Sequence, residues 1–186
     1  MKTYTIIAGV NGAGKSSLTG VLRAQKNNLG KIIDVDKLTF ENGGNPIEGG
    51  KKAISIIDEC LSKDICFSQE TTLSGHKTLN TINKAIERGY YIRLFYVGLN
   101  TVEESIARIE NRVLKGGHNI KDTDVKRRFA KRFEDLLNIL SYCNEATFFD
   151  NENGFVKVAE YKNDEILTVG KYKPDWLNEL IEMFNK

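Results

Sequence analysis

Gly9-Val10-Asn11-Gly12-Ala13-Gly14-Lys15-Ser16, followed by Ser17, is the stretch on which the reading of this chain turns. It fits the pattern G-x-x-x-x-G-K-[ST], in which backbone N–H groups of a glycine-rich loop surround nucleotide phosphates, the lysine reaches the outer two, and the hydroxyl binds magnesium. On that pattern residues 9–17 hold the nucleotide, and Ser16 is the metal ligand. The flanks agree. Thr3-Tyr4-Thr5-Ile6-Ile7-Ala8 is a β-branched and aromatic run, and Ser16 to Ala24 reads as a helix. A phosphate at that helix N-terminus meets unpaired N–H groups and the positive end of the dipole.

Working outward, Lys31-Ile32-Ile33-Asp34-Val35-Asp36 reads as a short strand ending in two carboxylates. Strand alternation puts both on one side, at the carboxyl edge where open parallel sheets bind ligands. Either one supplies a catalytic acid or base, or one merely caps the next segment, Lys37 to Phe40. Residues 41–50 are rich in turn formers and read as a mobile loop. Ala53, Ile56, Ile57, Cys60 and Leu61 mark a core-facing helix. Ile65 to Glu70 is the next strand, running into Glu70-Thr71-Thr72-Leu73-Ser74-Gly75. There Glu70 is placed to position a substrate hydroxyl, to hold a metal-bound water, or to cap a helix.

Leu79, Ile82 and Ile86 define another helix, with His76 exposed at its start, and Tyr90 to Val97 a central buried strand. Val102, Ile106, Ile109 and Val113 share one helix face, and Arg108 and Arg112 another. Gly116 and Gly117 then make a hinge within a lid segment, 116–123. The following helix carries Arg127, Arg128, Lys131 and Arg132 beside an apolar stripe of Val125, Phe129, Phe133, Leu136 and Leu140. At about 100° per residue Arg128 and Arg132 border the stripe and Arg127 points away. Arginines on a hinged segment suit a lid over transferring phosphates. Ala146 to Asp150 is the last parallel strand, with Asp150 and Asn151 near the purine. Residues 152–186 form a hairpin and an amphipathic helix that pack without chemistry.

The bulk numbers fit one domain over residues 1–186. The chain is 40% apolar and 28% charged, with a net charge of +2, so electrostatics gives no case for a nucleic-acid binder. Cys60, Cys66 and Cys143 show no paired spacing and read as small buried hydrophobes of a reducing compartment. No apolar run approaches the ~20 residues that span a bilayer, and the expected location is cytoplasmic. Strands alternating with helices after a phosphate loop imply a three-layer α/β/α P-loop fold, with a mostly parallel sheet of about five strands plus the terminal hairpin. Phosphoryl transfer needs a phosphate cradle with a metal, a carboxylate for the attacking hydroxyl, and cations over the developing charge. Loop 9–16, Asp36 and the arginines from 108 to 132 supply one each, which points to a small-molecule kinase.

With these residues in hand the chain resembles the zeta-toxin-like P-loop kinases, most closely the short stand-alone ones. The resemblance rests on Gly9 to Ser17, Ile33-Asp34-Val35-Asp36, Glu70 to Gly75, Arg93-Leu94-Phe95-Tyr96-Val97-Gly98-Leu99, Arg112-Val113 and Gly116-Gly117-His118, and covers residues 3 to about 151. It implies a kinase using ATP or GTP with Mg2+, whose acceptor in the characterised toxins is a UDP-linked N-acetylated amino sugar. It also implies a possible antitoxin partner. By the match Asp36 is the general base, Lys15 the phosphate-binding lysine, and Glu70 and Thr72 substrate contacts, to which Asp34 is added. Arg112 is one of two phosphate-clamping arginines, and wheel geometry selects Arg128 as the other. Residues 41–63 do not resemble the toxins' sugar-recognition region. Two other readings stay open: an ATP-binding or slowly hydrolysing regulatory module, and a nucleic-acid end kinase.

Overall fold

The β-branched run that leads into the phosphate loop becomes the third of seven strands, flanked on both sides by parallel partners. A computed structural model describes residues 1–186. Its elements, in chain order, are β1 (Thr3–Gly9), α1 (Lys15–Ala24), β2 (Lys31–Asp34), α2 (Val35–Glu41), α3 (Pro46–Ser62), β3 (Phe67–Thr71), α4 (Lys77–Glu87) and β4 (Tyr91–Gly98). They continue with α5 (Val102–Leu114), α6 (Asp122–Ala130), α7 (Arg132–Leu140), β5 (Glu145–Asp150), β6 (Val156–Lys162), β7 (Glu165–Thr168) and α8 (Asp175–Phe184). The sheet order is β2-β3-β1-β4-β5-β6-β7. The first five strands are parallel, and the β6–β7 hairpin extends the sheet antiparallel from β5.

Alternate residues of β1 feed opposite faces, as the two-residue period requires. Tyr4, Ile6 and Ala8 join a core with Ile57 of α3, Ile82 of α4, Leu136 of α7 and Trp176 of α8. Ile7 packs on the other face with Leu18 and Leu22 of α1 and Phe129 of α6. The result is the three-layer α/β/α architecture. Because β1 lies between β3 and β4, the chain leaves it in both directions, and the carboxyl ends of β1, β2 and β3 open onto one crevice.

Several expectations are corrected. β2 stops at Asp34, and Val35 already begins α2, so Asp36 lies in a first helical turn and strand alternation does not relate it to Asp34. Residues 46–50 are helical rather than loop. Asn45 caps α3 by accepting from the N–H groups of Ile47 (3.0 Å) and Glu48 (3.4 Å), and Pro46 takes the first turn, where its missing N–H costs nothing. Gly49 is there for contact: a Cβ would come within 2.7 Å of the Thr39 Cα, so α2 and α3 approach closely only with glycine. The basic helix is broken at Lys131 into α6 and α7, although the whole stripe from Val125 to Leu140 is buried as read. Val113 and Ile86 are exposed rather than packed, and Cys66 is half-buried.

In the hairpin, Asn163 and Asp164 both have left-handed φ (54° and 60°), the geometry of a two-residue turn matched to strand twist, and residue types that tolerate it. The terminal helix is tied down by Asp150, which is 2% exposed. Its carboxylate accepts from Trp176 Nε1 at 2.8 Å and from the Tyr172 hydroxyl at 3.3 Å. Trp176→Phe removes a donor from a buried carboxylate, and is expected to cost about 1–3 kcal/mol in urea unfolding, with secondary structure unchanged.

Candidate active site

Lys15, Ser16, Asp34, Asp36, Glu70, Thr72, Arg112 and Arg128, all singled out in the sequence, line one cleft of about 740 Å³ at the carboxyl ends of β1–β3, whereas Arg127, Arg132 and Asp150 do not. Gly12, Gly14 and Ser17 line it too, while Gly9, Val10 and Ala13 lie beneath, with Val10 and Ala13 in the core.

The phosphate loop forms a donor cradle. Gly14 ends it in a left-handed conformation (φ 99°), which glycine adopts without strain, and a Cβ there would sit 2.5 Å from Asn151 Nδ2. No backbone carbonyl or side chain accepts from the N–H groups of Gly12, Gly14, Lys15, Ser16 or Ser17. These are the donors a chain of phosphates needs, at the positive end of α1. The loop is braced from α5 and from the end of β5. Ser105 donates to the Asn11 carbonyl (2.5 Å), and Asn151, at the end of β5, donates through Nδ2 to the Ala13 carbonyl (2.8 Å). Neither Ser105 nor the brace by Asn151 is recognised from sequence, because the bonds join residues 94 and 138 positions apart.

Lys15 Nζ donates to the carbonyls of Gly9 and Val10, both at 3.0 Å. Burial pulls its ammonium below the ordinary lysine range, opposed by the fields of Glu70, Asp36 and Asp34 and reinforced by Arg112. Those four charges therefore gather on the lysine, and three of them are anionic.

Glu70 sits in β3 between Asp34 of β2 and Ile7 of β1 in the strand register. It accepts from the hydroxyls of Ser16 and Thr19, each at 2.7 Å. Burial holds its carboxyl above the usual carboxylate range, while the Thr19 and Ser16 hydroxyls pull it down, Asp34 pushes it up and Lys15 lowers it. Thr19, one helical turn after Lys15, is a site residue missed by the sequence reading; its signal was a hydroxyl on the turn of α1 after Lys15. No cluster of three or more His, Cys, Asp or Glu is spaced to hold a metal on its own. The Ser16 hydroxyl beside the Glu70 carboxylate instead fits magnesium carried in with phosphate oxygens, since that ion takes one or two protein ligands and keeps several waters.

The native carboxyl of Glu70 is raised relative to the unfolded chain. It therefore contributes stability that is complete at acid pH and lost as pH rises from the ordinary carboxylate value through the raised one. Glu70→Gln is expected to unfold at a higher temperature than wild type at pH 7 without nucleotide. The difference should vanish towards pH 4, a trend that thermal melts across that range check.

The two aspartates are not equivalent. Asp34 is the N-cap of α2, its Oδ1 accepting from the Lys37 N–H at 3.1 Å. Asp36 is exposed at the cleft and makes no hydrogen bond or ion pair within the chain.

The arginines also divide. Arg108 lines the cleft but bonds Glu104 and the Asn151 carbonyl, both at 2.5 Å. Arg127 is paired with Asp124 (3.0 Å) and exposed. Arg132, read as bordering the apolar stripe, is 9% exposed, paired with Glu179 of α8 and stacked against Phe129 and Phe133. Its inward orientation leads into the core and not to the cleft. Arg112 and Arg128 have no carboxylate partner. Arg112 donates to the His118 carbonyl (2.6 Å), holding the 115–121 loop against α5, and Arg128 donates to the Asn11 side chain (3.0 Å) with its buried Nε unpartnered. Asp150 is turned into its bonds with Trp176 and Tyr172, so of the pair expected near the purine only Asn151 reaches the phosphate loop.

No protein-family model matches the chain. A Haemophilus influenzae protein, itself described only as uncharacterized, is 37% identical over 126 residues, which make up 65% of this chain and 88% of that protein. Solved structures show the likeness at the level of the fold. The PezAT chromosomal toxin-antitoxin system of Streptococcus pneumoniae contains a chain matched over 100% of this one and 85% of its own length, with TM-score 0.61 and 16% identity. The AvrRxo1-ORF1:-ORF2 structure with ATP matches 99% of this chain at TM-score 0.71 and 14% identity, and this chain spans 63% of that one. A chain of the Pnkp1/Rnl/Hen1 RNA repair complex matches 74% of this chain at TM-score 0.62 and 15% identity, over 46% of its own length. The chain thus belongs to the family of the Haemophilus influenzae protein, and its fold is that of the zeta-toxin-like P-loop kinases.

Proposed function

We propose that the chain is a kinase that transfers the γ-phosphate of ATP or GTP to the hydroxyl of a small molecule. What carries the reading is the convergence on one cleft of an unpaired N–H cradle, a carboxylate free of other bonds, and two arginines without acidic partners. The division of labour comes from those contacts. The N–H groups of Gly12, Gly14, Lys15, Ser16 and Ser17 and the Lys15 ammonium bind the phosphates. Ser16 would hold magnesium, with Glu70 accepting from a water on it, and the ion when bound neutralises charge on the phosphate oxygens.

Asp36 takes the proton of the acceptor hydroxyl as its oxygen bonds to the γ-phosphorus and the bond to the bridging oxygen of the leaving diphosphate breaks. Arg112 and Arg128 lie over the charge spread on the transferred group. Asp34 orients Asp36 through the cap of α2, and Thr72 and Glu70 face the acceptor side. Residues 1–186 act in this proposal as one catalytic unit, with 116–123 as the lid and 152–186 as packing.

The toxins that the sequence resembles make a UDP-linked amino sugar the first acceptor to test, and an antitoxin-like protein a partner to test by co-purification. No helix is long and apolar enough to cross a membrane, and the reading places the protein in the cytoplasm, where its nucleotide is found. Acceptor-dependent ADP production over UDP-sugars, nucleosides and cofactor precursors is the deciding assay. Hydrolysis unchanged by every acceptor and by Asp36→Asn would replace the kinase with a regulatory ATP-binding module. Binding to nucleic acid ends that falls steeply with salt would redirect it to an end kinase.

A further inference from the structure

Asn11 fills one of the free positions of the phosphate-loop pattern, where the spacing asks nothing of the side chain. In the structure it is 4% exposed, and both its oxygens are taken by helices that wall the cleft. Its carbonyl accepts from the Ser105 hydroxyl of α5 at 2.5 Å, and its side-chain Oδ1 accepts from Nη1 of Arg128 on α6 at 3.0 Å. Gly12 makes the first contact close: a Cβ there would come within 2.7 Å of the Ser105 carbonyl. The loop backbone at Asn11 is therefore set against α5, and the amide that projects from it is a fixed point for the guanidinium.

What the amide lacks is charge. Among the arginines of α5, α6 and α7, Arg108, Arg127 and Arg132 each meet a carboxylate, from Glu104, Asp124 and Glu179. Arg112 and Arg128 are held instead by neutral oxygens, of the His118 main chain and the Asn11 side chain. A carboxylate at either place would cancel the cation that a transferring phosphoryl group needs, whereas an amide oxygen orients the guanidinium and leaves its charge whole. Arg128 also keeps donors in hand. A guanidinium carries several N–H groups, of which Asn11 takes one, and the buried Nε has no acceptor.

We infer that Asn11 is the positioning residue of Arg128: its amide oxygen aims the guanidinium across the phosphate loop before nucleotide arrives, so the cation is already in place when charge develops on the transferred group. What Arg128 acts upon rests on the kinase reading; how it is held rests on the two bonds alone.

Two measurements separate these parts. In protein carrying isotope-labelled arginine and no nucleotide, the Arg128 Nε–H signal is assigned by its loss in Arg128→Met. It should exchange with water at least about tenfold faster in Asn11→Ala than in wild type. The variant folds, because Ser105 bonds the main-chain oxygen that alanine keeps. Transfer assays, with whichever acceptor of the panel turns over, then follow a double-mutant cycle. Asn11→Ala should lower kcat about ten- to a hundredfold with the KM for ATP little changed, since the N–H cradle stays in place. In the Arg128→Met background the same substitution should change kcat by less than about twofold. Asn11→Asp keeps the oxygen and adds a charge, so it should leave the Arg128 signal protected yet lower kcat at least as much as alanine does, a split that a merely structural role does not give. Faster Arg128 exchange in Asn11→Ala, with no acceptor turned over by wild type, overturns the kinase reading and leaves the positioning role standing. Unchanged Arg128 exchange, or an Asn11→Ala loss that is the same with and without the Arg128 side chain, overturns the positioning role and leaves the kinase standing.

Discussion

Asp36→Ala should lower acceptor phosphorylation by about two to four orders of magnitude while nucleotide affinity stays near wild type. The asymmetry comes from the contacts. Asp36 makes no side-chain bond in the chain and touches Lys15 only through its field, so removing it leaves the phosphate loop and α2 in place and its main effect falls on the acceptor's proton. Asp34→Ala makes the contrast. It deletes a helix cap and should cost about 1 kcal/mol of stability, with a smaller loss of activity through a loosened α2. Steady-state transfer assays, equilibrium binding of a fluorescent ATP analogue and urea unfolding on both variants distinguish the roles. Equal transfer rates for Asp36→Ala and wild type would remove the base assignment.

Lys15→Met should lower transfer by about two to three orders of magnitude and weaken nucleotide binding. Without nucleotide the same variant should be no less stable than wild type at pH 7. The reason is the sign of the Lys15 shift. Its native pKa is pulled below the unfolded value by burial, so the native state pays for the charged form at neutral pH. As pH rises through the lowered pKa towards the unfolded one, the unfolded chain binds more protons than the native, and native stability increases. Wild type should therefore gain on Lys15→Met between neutral and alkaline pH in denaturant midpoints. A variant that lost stability at pH 7 and gained none of it back on alkalinisation would mean that the two carbonyl bonds outweigh the burial of the charge.

Much of this was legible in the residues because the signals were local or strictly periodic. The phosphate loop has a fixed spacing, the five parallel strands are short runs carrying β-branched or aromatic residues, and the stripe from Val125 to Leu140 keeps its helical period across a break in the helix itself. What escaped was set by competition or distance. Asp36 stands where a strand pattern and a helix start overlap, and a four-residue strand is too short for periodicity to arbitrate. Two glycines hid the helix over 46–50, although Asn45-Pro46 is a capping signal, and the reason for Gly49 is a neighbouring helix that no local reading sees. A wheel found which arginines turn inward, but not whether inward means cleft or core. For Arg128 the answer is the Asn11 side chain of the phosphate loop; for Arg132 it is Glu179, 47 positions away.

The interruption at Lys131 has a mechanical meaning. Beyond it, α7 is moored to the terminal helix through Arg132, while before it α6 carries Arg128 and comes after the loop that Arg112 holds. A ladder of backbone bonds already opened at one residue lets the two halves take different directions, so one end of a continuous apolar stripe is keyed to the phosphate loop and the other to the rear of the sheet.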